Sequence, residues 1–174
     1  MRNQKIRGMI LISLFAALSA VGAAIKIPAV ITSVALDSFP ALLAAALLGP
    51  VAGAAVGGIG HMLSALMGGM PLGPLHGLIA VEMAVLAALF SILYRSERKW
   101  SAALFFILAN SFVAPLPFMF IISKVFYIAL IPSLVIGSVL NTAFAMIVIP
   151  RLGRILSGRK GVADERRADN SIYR

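Results

Sequence analysis

Cysteine is absent and acid is scarce: the chain has no Cys and only six Asp and Glu among 174 residues. The first absence excludes disulfides and thiolate metal sites, and says little about compartment. Charged residues of both signs make up 12% of the chain, far below a soluble domain's usual share. Room for a globular catalytic domain is also lacking. Residues enough for about six membrane crossings leave little over, so any ATPase, nuclease or soluble enzyme activity is expected to need another chain.

What the chain does have is apolar sequence. Its hydrophobic fraction is 61% and its mean hydropathy +1.02, with runs long enough to cross roughly 30 Å of hydrocarbon. A β-barrel needs alternating lipid-facing and lumen-facing residues, whereas 41–48 and 83–93 are apolar all round. The expected fold class is an all-α polytopic membrane protein, a compact bundle of six transmembrane helices.

Thirteen of the fifteen Lys and Arg fall in three clusters outside the apolar segments. Arg2, Lys5 and Arg7 precede the first span (6–25); Arg95, Arg98 and Lys99 follow the fourth (74–94); Arg151, Arg154, Arg159, Lys160, Arg166, Arg167 and Arg174 close the chain. Gly49-Pro50 splits the intervening stretch into a tight hairpin of short helices (38–48 and 51–67), and Gly68-Gly69 with Pro71 breaks it again. Pro115, Pro117 and Pro132 interrupt the region of the last two spans, placed at 101–120 and 128–150, with Lys124 marking an outer loop. Six spans put every basic cluster on one side, so both termini are expected in the cytoplasm with Lys26 and Lys124 outside. Residues 1–155 form the membrane domain and 156–174 a basic, disordered cytoplasmic tail. The net charge of +9 thus reads as topology and lipid headgroup contact rather than nucleic-acid binding.

Two rival signals fail or weaken. Arg2 to Ala24 has the charged start, apolar middle and small end of a cleavable signal peptide. The tail run Gly153 to Lys160 resembles a phosphate-binding loop, but Arg159 interrupts the Gly-Lys pair, no Ser or Thr follows and no strand precedes it.

Ala16, Ala20 and Ala24 recur every four residues along one face of the first span, and Gly53 and Gly57 do so in the third, followed by His61 and Ser64. Such faces admit another helix closely, within the bundle or from a partner.

Asp37, His61, His76 and Glu82 lie within or beside the apolar segments, where an ionisable group costs about 2.5 to 3.5 kcal/mol and so implies a cavity or a partner. His61 stands roughly 16 Å beyond Pro50 and Glu82 roughly 12 Å below Pro74, at a similar level. Asp37 has the setting of a helix cap, His61 and Glu82 of a bridging pair, and Asn110 and Asn141 of a pair bonded to each other below the pocket. A metal site is disfavoured because no two of the His and acidic residues share a helix at ligand spacing. Ser64 three residues after His61 does not make a hydrolytic dyad.

The Ala16-x-x-x-Ala20 pattern and Leu48-Gly49-Pro50-x-x-Gly53-x-x-x-Gly57 resemble the S components of energy-coupling factor (ECF) transporters, membrane subunits that capture vitamins, over residues 8–155. Within that family, Ser33-Val-Ala-Leu-Asp37-Ser-Phe-Pro40, Gly60-His61-x-x-Ser64 and Pro71-Leu-Gly-Pro-Leu-His76 look most like the α-ribazole carriers, which salvage a cobalamin precursor. The resemblance implies a multi-pass protein of the prokaryotic cell membrane, not an enzyme, with no cofactor of its own. It also implies a transmembrane coupling subunit and two ATP-binding cassette ATPases that use ATP, with docking through Ala16 and Ala20. The substrate-binding candidates are Asp37, Phe39, His61, Ser64, His76 and Glu82, with Met62 and Met83 able to face a ring.

Overall fold

Local chain-breakers set the architecture. The computed structural model describes residues 2–28 and 33–172, with side chains described over 5–25 and 35–155. Helix α1 (Arg2–Ala24) leads into a two-stranded antiparallel hairpin, β1 (Lys26–Pro28) and β2 (Ser33–Ala35), with Ile27 opposite Val34. The all-α expectation missed this hairpin because three-residue strands are too short to show alternation. The side chain of Lys26 lies outside the described ones.

Helix α2 (Phe39–Leu48) holds Pro40 in its first turn, where the missing N–H costs nothing. It ends at Gly49, where φ is 109° and ψ 178°, a conformation suited to glycine. Pro50 at once opens α3 (Pro50–Met67), giving the expected hairpin. After the turn at Gly68–Pro74 comes α4 (Leu75–Arg95), then α5 (Lys99–Leu108), which passes into a π-helical turn at Ala109–Val113. Pro115 separates that turn from α6 (Leu116–Ile121), whose first turn holds Pro117, and α7 (Lys124–Ile172) completes the described chain.

Five segments are long and apolar enough to cross a membrane: Lys5–Ala24, Pro50–Met67, Leu75–Arg95, Lys99–Ile121 and Lys124–Ile155. Helix α2 is not one of them. Its ten residues reach about 15 Å, half the hydrocarbon thickness. Pro132 does not break α7 as anticipated, nor does Pro150; within a bundle, neighbouring groups can satisfy the carbonyls that proline frees.

The core lies toward the Arg-rich end. Leu42, Val56, Phe90 and Phe106 are fully buried, Phe106 meeting Phe90 edge-on at 6.3 Å and Tyr94 stacking on Phe90 at 5.5 Å. Helices α3 and α4 meet closely because Gly57 lacks a side chain: a Cβ there would stand 2.7 Å from the Met83 carbonyl oxygen. The same economy joins α1 to α3, where a Cβ on Gly60 would lie 2.7 Å from Ser19. In contrast Met9, Ile10, Leu14 and Val21 of α1 are exposed, as a lipid-facing stripe would be.

Candidate functional site

Beyond the core, toward the end away from the arginines, the helices part around a cavity of about 200 Å³. Its walls come from Ala35, Asp37 and Ser38 before α2, His61 on α3, Ile79 and Met83 on α4, and Asn110 in the π turn. Leu130, Ser133, Leu134, Gly137, Ser138 and Asn141 complete it from one face of α7, repeating at intervals of three and four. Asn141 is ten residues before Arg151 and Met83 twelve before Arg95, which places the cavity floor roughly 15 to 18 Å from the basic end, near mid-bilayer.

The shortness of α2 produces this depth. Residues 35–38 descend into the bundle as non-helical backbone, tolerable there only if its polar groups find partners. Asn141 supplies them. Its Oδ1 accepts from the amides of Ser38 at 3.0 Å and Phe39 at 2.8 Å, and its Nδ2 donates to the carbonyls of Ala35 at 3.0 Å and Gly137 at 2.9 Å. The cap expected of Asp37 therefore comes from α7. Asp37 takes only the Ser38 hydroxyl, at 3.1 Å, and its carboxylate keeps acceptor capacity at the cavity wall.

The expected pairings are redistributed. His61 Nε2 lies 3.2 Å from His76 Nδ1 rather than against Glu82, and His76 Nε2 accepts the Leu72 amide at 3.4 Å. Asn110 does not meet Asn141; it donates to Ser138 Oγ at 2.8 Å, which also accepts from Ser111 Oγ at 3.3 Å. Depth along a helix could be counted from the sequence, but the face a side chain shares with a neighbour depends on packing angles that residue counting does not supply.

Of the predicted ligand contacts, Asp37 and His61 line the cavity, and His76 stands behind His61, buried. Phe39 turns its ring toward Phe144, with centroids 6.5 Å apart. Phe39, Ser64 and Glu82 are not among the lining residues; Glu82 Oε2 is buried without a hydrogen-bond partner among the described residues. Ser133 is also buried and its hydroxyl unpartnered, but it faces the cavity. Ser133, Ser138, Asn110 and Asn141 were missing from the predicted contacts. The polar and small stripe at 133, 137, 138 and 141 on an otherwise apolar span was the signal for three of them.

On α1 the small face is divided. Ala16 is buried at 6% exposure beside Phe15, Ser19 and Ala23, Ala20 is half-buried and Ala24 exposed. Among the described residues no group of three or more His, Asp or Glu is placed to hold a metal ion.

A half-length helix, a partly open polar-apolar cavity and five helices long and apolar enough to cross a membrane define the architecture of a polytopic membrane protein. The family model for the substrate-specific component of ECF transporters matches residues 7–156, and the chain belongs to that family. Its fold is similar to a solved structure described as the S component of a bacterial ECF transporter, with a TM-score of 0.67 at 18% identity, over 87% of this chain and 98% of that one. No curated protein shows a significant sequence match. The family is one of transporter components rather than enzymes.

Proposed function

We propose that this chain captures α-ribazole from outside a prokaryotic cell as the substrate-binding subunit of an ATP-driven vitamin uptake system. The carrying observation is the cavity itself, which sets apolar walls from Ile79, Met83, Leu130 and Leu134 beside Asp37, His61 and Asn110. A benzimidazole suits the apolar walls. Ribose hydroxyls suit the Asp37 carboxylate and the Asn110 amide oxygen, and a ring nitrogen suits a histidine donor.

Ligand pockets usually measure about 300 to 1,000 Å³. At about 200 Å³ this one is small for a nucleoside, so capture includes an outward shift of residues 35–38, the only non-helical wall among the described residues. In this reading both termini are cytoplasmic, α2 counts as a sixth, half-length crossing, and residues 156–174 form a cytoplasmic tail. A transmembrane coupling subunit docks on the Ala16/Ala20 side of α1, and two ATP-binding cassette ATPases consume the ATP.

Mass spectrometry of the small molecule released from purified protein is the test. Recovery of unmodified α-ribazole, with saturable binding on re-addition, is expected. Recovery of a chemically different ligand sinks the substrate, and conversion of the ligand by the purified chain sinks the transport reading.

A further inference from the structure

The two histidines form a directional chain. The Leu72 amide can only donate, so His76 Nε2 must accept it and carries no proton. A neutral His76 therefore holds its proton on Nδ1, which points at His61 Nε2 across 3.2 Å. His61 Nε2 is then the acceptor, and the His61 proton sits on Nδ1, the ring's other nitrogen, to which no described protein group is hydrogen-bonded. His61 lines the cavity whereas His76 does not.

The remaining lining groups have a polarity as well. Asn141 has all its amide capacity occupied, Asn110 spends its Nδ2 on Ser138, and Asp37 offers a carboxylate. Ser133 is 5% exposed, its hydroxyl without a partner among the described residues. No Lys or Arg is among the described lining residues.

We infer that the cavity selects a ligand without an anionic group that presents an acceptor to His61 Nδ1–H and donors to Asp37 and Asn110, and that His76 is the positioning residue that fixes this polarity. The inference extends the capture reading above, and it rejects the phosphorylated or carboxylate-bearing counterpart of whatever neutral molecule is taken. An added anion would meet the Asp37 carboxylate with no cation among the described lining residues to offset it, a repulsion on the order of 100-fold in affinity at contact range.

Because the chain has only two histidines, protein labelled with ¹⁵N at histidine and held in nanodiscs gives spectra of two rings. Both are expected as the Nδ1–H tautomer, with His76→Phe releasing His61 into a mixture. A His61 ring protonated at Nε2 in the unmodified protein overturns the inference without any variant. Calorimetry with α-ribazole and its 5′-phosphate should show the phosphate binding on the order of 100-fold more weakly, and Asp37→Asn should narrow that gap about tenfold. Equal affinities overturn the inference. If neither compound binds while the spectra are as expected, the substrate named above fails and the assigned polarity stands.

Discussion

Asn141 Oδ1 lies 2.8 Å from the amide nitrogen of Phe39, so the first turn of α2 is capped by a side chain 102 residues further along the chain. One amide group thereby closes the floor of the cavity, holds residues 35–38 in the bundle and ties the second helix to the last.

Asn141→Ala should destabilise the protein by about 2 to 4 kcal/mol, since it strands the Ser38 and Phe39 amides and takes a donor from the Ala35 carbonyl in a poorly solvated place. Chemical unfolding in detergent measures this, and an unchanged midpoint would show that the cap is dispensable.

A second prediction contrasts two glycines. Gly57→Ala pushes a methyl toward the Met83 carbonyl, which is backbone and cannot move aside, and should cost about 1 to 3 kcal/mol. Gly77 has nothing within 4 Å of a built Cβ, so Gly77→Ala should leave stability unchanged or raise it by up to about 1 kcal/mol. Thermal unfolding of the pair checks both, and equal losses would refute the close α3–α4 approach.

Helix ends were legible because their signals are local. Gly49-Pro50 and Gly68-Gly69 fix their breaks whatever surrounds them, and the predicted 38–48 and 51–67 became Phe39–Leu48 and Pro50–Met67. The candidate site was half legible: burying Asp37 and His61 in apolar sequence advertises a purpose, and both line the cavity. Partner choice was not legible. Whether His61 meets Glu82 or His76 is decided by the rotation of α4 against α3, and the π turn leaves no mark in composition.

Topology can be read with single cysteines, each unique in a chain that has none. Ile25→Cys and Ser123→Cys should react with an impermeant reagent in intact cells, and Ser96→Cys should react only after permeabilisation. Outside labelling of Ser96→Cys would invert the proposed orientation.

Docking and folding separate on α1. Ala16 is buried within the chain, so Ala16→Trp should disrupt the bundle itself. Ala20→Trp, at a half-buried position, should abolish co-purification with the coupling subunit while keeping α-ribazole affinity within about threefold. Intact assembly of Ala20→Trp would remove this face from the docking surface.

Glu82→Gln replaces a carboxyl group whose Oε2 is buried without a described partner, and it lies off the cavity wall. Stability should rise by about 1 kcal/mol and α-ribazole affinity stay within about twofold. An affinity loss above about tenfold would return Glu82 to the ligand's contacts.

The π turn at Ala109–Val113 is in effect one residue inserted into a helix. Everything beyond it is rotated by about 100° relative to an uninterrupted α-helix. Deleting a single residue there would restore regular winding and swing Asn110 or its successors to a different wall, with α1 to α4 ahead of it unaltered. Ligand preference on this scaffold can therefore shift through the length of one turn, a route to new cargo that leaves the core side chains of α1 to α4 in place.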